Sequence, residues 1–326
     1  MIRHWIVVVA LAVAAGCGRA EPVAKVGSTG TTSPSPSLTL TDSLGRRVTI
    51  ARRPERIVSL APALTETLFA VGAGPRVVAV TTADTHPADV KALPTVGGFS
   101  PKTLSVEAVV GQKPDLVVST GRLQQSAVES LEGLGVTVLA LDADTIEEVA
   151  ANIRLVGRAT GTEAEAGRIA DDMLRRAEAV RKRPAADPAG KRPRVVYFLW
   201  DEPLKAGGPG TFIGQMIVDA GGENLFADAD QKYPQVSDEV VLVRDPDLIL
   251  TSDHGNIGLP ARLARRPGWA ALKAVRAGKV VALDEELVAR PGPRLIDGLE
   301  AVSEAIHAAR EGDPVPCPPD ATPSPR

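Results

Sequence analysis

Short apolar runs and amphipathic stretches alternate along this chain in a regular order. Residues 38–50, LTLTDSLGRRVTI, read as a hairpin turning at Asp42 to Gly45. RIVSLAP follows as a buried strand stopped by Pro62, then ALTETLFAVGAG as a helix with Gly72 and Gly74 at its end. RVVAVT, DLVVS and TVLALD read as strands, with SVEAVVGQ and QSAVESLEGLG as helices between them. That alternation specifies an α/β lobe on a mostly parallel sheet over residues 38–145.

A helical period takes over in residues 146–183. Thr145 with Glu148, and Thr162 with Glu165, each match the T-x-x-E capping box. Behind the second, Ala166, Ile169, Ala170, Met173, Leu174, Ala177 and Val180 share one face, which predicts a long helix from about Thr162 to Lys182. The proline-rich RPAADPAGKRPR ends it, and a second alternation follows: VVYFLW, TFIGQMIVDAGG, DEVVLVRD, DLILTS, GWAALKAVRAG, VVALD and a closing helix from about Leu295 to Ala309. The fold class is therefore α/β, with two similar Rossmann-like lobes, the second over 193–310, joined by a single long α-helix.

One stretch occurs twice in this pattern. SVEAVVGQKPDLVV, from Ser105, reappears as SDEVVLVRDPDLIL, from Ser237, with the glutamate, the proline and the aspartate in step. Glu107 and Glu239 thus fall in the first turn of equivalent helices. An acid there interacts favourably with unpaired amides behind a Ser105 or Ser237 N-cap, so helix capping and a binding role both remain open at this point.

Outside the lobes the composition changes. Arg3 and His4 lead into an apolar run from Trp5 to Ala15 that is too short to span a bilayer and ends in AAGC, which reads as a secretory signal with a lipobox over residues 1–17. Cleavage before Cys17 and its lipidation would tether the protein outside the cytoplasmic membrane. Residues 18–37, rich in Gly, Ser, Thr and Pro, read as a flexible tether, and residues 311–326, which contain Cys317, as a disordered tail. With Cys17 acylated, no intramolecular disulfide can form. The balance of 37 basic against 40 acidic residues gives no electrostatic reason to expect nucleic acid.

Taken in order, DSLGRRVTI, RRPERIVSLAPALTETLFAVGAG, SVEAVVGQKPDLVVS, GGENLF and YPQVSDEVVLVRDPDLIL resemble the substrate-binding proteins of ABC importers for cobalamin, iron siderophores and haem. The resemblance covers almost all of residues 40–310. It implies a ligand cleft between the lobes, a monomer with no catalysis and no cofactor of its own, and a permease dimer with its ATPase subunits as partner. It also implies that Glu107 and Glu239 each meet an arginine of a two-fold permease, which offers like patches to a pseudo-symmetric protein.

By the same resemblance, Phe99 and Tyr233 occupy positions that hold aromatic rings against the ligand in cobalamin binders, with Trp200 close to another. Aromatic residues are only 3% of the chain, so their placement near strand ends is informative. Two further aromatic positions of a well-known cobalamin binder are Ala83 and Thr120 here. The turn GGPGTF, with Thr211 as helix cap, offers amides to a polar ligand group. Arg290 in ARPGPRLI completes the expected ligand set.

The expected ligand is cobalamin. The alternative is a ferric siderophore or haem, with Arg122, Arg290 or Arg294 meeting anionic groups and Tyr233, His86 or His254 reaching iron. No metal site is expected, because His86 and His254 are the histidines assigned inside the lobes, too few for zinc. The chain has neither a G-x-S-x-G elbow nor a G-x-x-x-x-G-K-[ST] loop, so neither a serine hydrolase nor the transporter's ATPase is indicated. A bridge of one well-packed helix implies small lobe movements on binding.

Overall fold

The computed structural model describes residues 37–183, 190–252 and 258–311. The signal segment, Cys17, the tether up to residue 36, His254, and the tail beyond Glu311 with Cys317 lie outside the described residues. The hairpin pairs β1 (Leu38–Thr41) with β2 (Arg47–Ile50) antiparallel. The buried Asp42 carboxylate sets its turn by accepting the amides of Leu44 and Arg46, both at 3.0 Å.

The first lobe runs β3 (Ile57–Ser59), α1 (Pro62–Ala70), β4 (Val77–Ala79), α2 (Val106–Gly111), β5 (Leu116–Ser119), α3 (Gln125–Gly133) and β6 (Val138–Ala140). Its strands form a parallel sheet in the order β4-β3-β5-β6. Then come α4 (Ile146–Thr160) and the long α5 (Glu163–Lys182).

The second lobe contains β7 (Arg194–Asp201), β8 (Leu204–Ala206), α6 (Phe212–Asp219), β9 (Glu223–Asn224), α7 (Asp238–Arg244) and β10 (Leu248–Ser252). It continues through α8 (Leu259–Ala264), α9 (Lys273–Arg276), β11 (Val280–Leu283), α10 (Glu285–Val288) and α11 (Leu295–Glu311). β9-β7-β10-β11 are parallel neighbours, which repeats the order of the first sheet, and β8 is an added antiparallel strand on β7.

Side chains on successive strand positions point to opposite faces, and the core divides accordingly. Ile57, Leu116, Val118, Val195, Tyr197, Leu248 and Leu250 join one apolar core that continues through α4 and α5 into both lobes. Val58 and Val117 face a second cluster under the first lobe, and Val196, Phe198 and Ile249 a third under the second lobe. The bridging helix buries Ala166, Ala170, Met173, Ala177 and Val180 as its spacing requires. It packs on α4 at one side and on α6 and α11 at the other. Gly157 permits the close approach of α4 to α5, since a Cβ there would lie 2.3 Å from that of Ala166.

Two local expectations change. Thr145 caps α4, accepting the amide of Glu148 at 3.2 Å, but Thr162 makes no cap bond because its hydroxyl pairs with that of Thr160 at 2.8 Å. GWAALKAVRAG is not one helix: Trp269, fully buried against Phe198, holds Trp269–Ala271 in a 3₁₀ turn, and α9 begins only at Lys273. Tertiary packing overrides local propensity there.

Candidate functional site

The repeated segments fold alike. Ser105 caps α2, accepting the amide of Ala108 at 3.1 Å, and Ser237 caps α7, accepting that of Val240 at 3.4 Å. Each helix leads into a left-handed residue, Lys113 at φ 50° and Asp245 at φ 41°, before the Pro-Asp step. Asp115 accepts the amides of Glu55 and Arg56 at 3.0 and 2.9 Å, and Asp247 accepts that of Arg194 at 2.9 Å. The repeated aspartate thus fastens the entry to the neighbouring strand in both lobes.

The repeated glutamate has no such structural duty. Glu107 and Glu239 are both exposed, and among the described residues neither forms an ion pair. Ser105 donates its hydroxyl to Glu107 at 3.2 Å, and the Ser237 hydroxyl with Glu239's own first-turn amide holds the Glu239 carboxyl below its usual range. The adjacent Asp238 contrasts with it, since its carboxylate receives Arg266 Nε at 2.7 Å and Trp269 Nε1 at 2.7 Å. One acid of the pair is bound into its lobe and the other is left outward.

The loops beyond the strand ends meet across the two lobes. Glu66 on α1, only 3% exposed, accepts Arg294 through both oxygens at 2.8 and 2.7 Å, with Arg290 at 3.5 Å. Arg290 also donates to Thr85 at 2.8 Å and pairs with Glu286 at 3.0 Å, while Thr85 donates to Glu286 at 2.6 Å. These carboxylates raise the Arg294 pKa, Glu66 most. Gly292 lies so close to α1 that a Cβ would come 3.2 Å from the Ala63 carbonyl. A second bridge joins Lys232 to Asp144 at 3.0 Å, with Arg122 on the same carboxylate at 2.8 Å. The hydrogen bonds from Arg122 and Lys232 hold Asp144 below the usual carboxylate range.

The predicted ligand residues separate into two sets. Trp200 at the end of β7 is 40% exposed, with its indole donating to the Glu202 carbonyl at 2.7 Å, and Tyr233 beside Lys232 is 46% exposed. Enclosure raises the Tyr233 phenol, Lys232 opposing. Phe99 is half-buried against the main core, beneath the Gln124 side chain that binds its carbonyl at 2.8 Å. Thr120 leaves its buried hydroxyl without a partner among the described residues, and Ala83 is half-buried.

The other two predicted ligand residues have partners within the protein. Thr211 does cap α6, its buried hydroxyl donating to the Gly208 carbonyl at 2.8 Å and accepting the Gly214 amide at 3.0 Å. Arg290 is an inter-lobe strut, its guanidinium held by Glu66, Glu286 and Thr85. Glu66 was the missed residue: nothing in ALTETLF distinguishes it from a solvated helix acid, and its partners lie more than two hundred positions away. A third lobe histidine, His307 on α11, is buried with Nδ1 2.7 Å from the Ser303 carbonyl, so the count of two was one short. Among the described residues no group of three or more His, Cys, Asp or Glu is arranged to hold a metal, and no helix is long and apolar enough to cross a membrane.

Known proteins are similar to this chain in sequence and fold. A family described as periplasmic binding protein matches residues 57–287. An uncharacterised ABC transporter substrate-binding lipoprotein, YvrC of Bacillus subtilis, is 33% identical over 276 residues, 83% of this chain and 85% of its own. A cobalamin-binding protein of Halobacterium salinarum is 33% identical over 272 residues, 82% of this chain and 73% of its own. The periplasmic haem-binding protein RhuT of Roseiflexus superposes with a TM-score of 0.69 at 30% identity, over 78% of this chain and 98% of that one.

Proposed function

Since the chain belongs to the periplasmic binding protein family, as a substrate-binding protein of an ABC importer of the cobalamin, haem and siderophore type, we propose that its ligand is cobalamin. It is a binding protein, not an enzyme, and such proteins deliver a small molecule to permease and ATPase subunits. We infer that the protein works outside the cytoplasmic membrane as a monomer held by lipid on Cys17. It meets the two halves of the permease through Glu107 and Glu239.

The observation that carries the docking role is the pair of outward glutamates without ion-pair partners among the described residues, at equivalent places in two lobes of the same strand order. A two-fold partner presents like basic groups to both at once. Ligand choice is supported by the state of the cations. Arg122, Arg290 and Arg294, the groups available to propionates or siderophore carboxylates, already hold Asp144, Glu66 and Glu286. Trp200 and Tyr233 are exposed near the strand ends, and a flat, largely uncharged ring system suits those faces. A cobalamin-binding relative at 33% identity agrees with that choice.

Calorimetry of the purified chain against cyanocobalamin, haemin and a panel of ferric siderophores tests the ligand. Submicromolar Kd for cyanocobalamin alone is expected, and tight binding of haemin or a siderophore in its place overturns the choice. For docking, the Glu107→Arg, Glu239→Arg double substitution should abolish uptake with ligand affinity unchanged. Loss of ligand binding in that variant would move the glutamates into the pocket or the core.

A further inference from the structure

The two docking helices match in charge but not in apolar surface. On α7, Val243 lies one turn from both Glu239 and Val240, since neighbours on a helix surface are three or four positions apart. Val243 is 85% exposed and Val240 39%. In the repeat, the positions of Val240 and Val243 are taken in the first lobe by Ala108 and Gly111. The first lobe therefore presents Glu107 with one exposed valine, Val110 at 36%, a turn away, and the second presents Glu239 beside a larger apolar step.

Resting on the docking role of Glu239, we infer that the α7 apolar step is a second part of the permease contact, received by an apolar ledge one helical turn from the basic group that takes the glutamate. Two arguments place the permease on this step. Val240 and Val243 adjoin Glu239 on the same short helix, so a partner that closes on the carboxylate covers them too. Val243 also lies outside the apolar cluster of its own lobe among the described residues, while its helix neighbour Val241 is fully buried in it. Burying an exposed valine stabilises an interface, whereas the charge pair mainly steers and registers it. Docking is then lopsided: the charges set both lobes on the permease, and the second lobe holds more tightly, so one of two like permease subunits receives the deeper contact.

The test measures capture of the full chain and its variants by the cognate permease–ATPase complex in lipid nanodiscs. Val243→Ser should weaken capture about tenfold, with cyanocobalamin affinity and the thermal midpoint unchanged. Gly111→Val should strengthen capture severalfold, because a Cβ at Gly111 meets nothing within 4 Å. Leu134→Ser, at a 63% exposed leucine elsewhere on the first lobe, should leave capture as it was. Unchanged capture in Val243→Ser, with loss in Glu239→Arg, overturns the apolar step and leaves the acidic contact standing. Loss in Val243→Ser with none in the glutamate variants keeps the step and overturns the acidic pair. An equal loss in Leu134→Ser makes the effect nonspecific and also overturns the inference.

Discussion

The first lobe and the second are built on the same strand order, yet they solve the same local problems with different amounts of polar fastening. In the first, Asp115 accepts two amides at the entry to β3, and in the second Asp247 accepts one at the entry to β7. The second lobe compensates with Asp238, which draws Arg266 and Trp269 onto the start of α7. It also carries both tyrosines of the chain, Tyr197 and Tyr233, and the added strand β8. Duplication therefore preserves topology and the outward glutamate while the fastening of each copy diverges. Buried polar groups need partners, but which partner serves is free to drift.

The largest expected effect concerns what ties the lobes to each other. Glu66→Ala removes the acceptor of Arg294 and leaves a cation enclosed between the lobes. Relaxation toward Glu286 recovers part of the loss, so chemical denaturation should show destabilisation of about 3 kcal/mol. A loss near zero would mean that the bridging helix and the shared apolar core hold the lobes without this strut.

Next comes a titration confined to the second lobe. Burial pushes the Tyr197 phenol up to about 12, with a 2.6 Å hydrogen bond to Ser252 working against that rise. The folded state keeps this proton above pH 10, where the unfolded chain releases it. The stabilisation is thus complete below the ordinary tyrosine pKa and is lost as pH rises toward 12. Its steepest decline is about 1.4 kcal/mol per pH unit. Urea midpoints between pH 9 and 12 should fall less steeply in Tyr197→Phe than in the parent chain, and identical slopes would contradict the enclosure of this hydroxyl.

A smaller effect compares the repeated aspartates directly. Asp115→Ala should destabilise by about 2 kcal/mol and Asp247→Ala by about 1, following the two bonds against one. Equal losses would show that the bond count does not set the difference between the lobes.

Much of this organisation was legible along the chain. The α/β alternation follows from alternating apolar runs, and the bridging helix from apolar spacing every three to four positions, because both signals are local and are repeated many times. The equivalent placement of Glu107 and Glu239 was legible through the repeat. The ligand set was less so. Trp200 and Tyr233 emerge exposed at the second lobe, whereas Thr211 and Arg290 have their hydrogen-bonding groups filled from within the protein. A polar side chain in a loop gives no local sign of whether its partner is a ligand or a neighbour.

The sequence by itself determined the α/β alternation, the duplication, the capping serines and the first-turn position of the two glutamates, since each is read from residues within one or two turns of each other. Only the tertiary structure decided that Glu66 would be buried beneath two arginines, that Trp269 would break a helical stretch, and that Asp238 would be bound while Glu239 stayed outward. Those outcomes depend on groups brought together across as many as 228 positions, and the energy of a buried charge or ring depends on the neighbours the fold supplies.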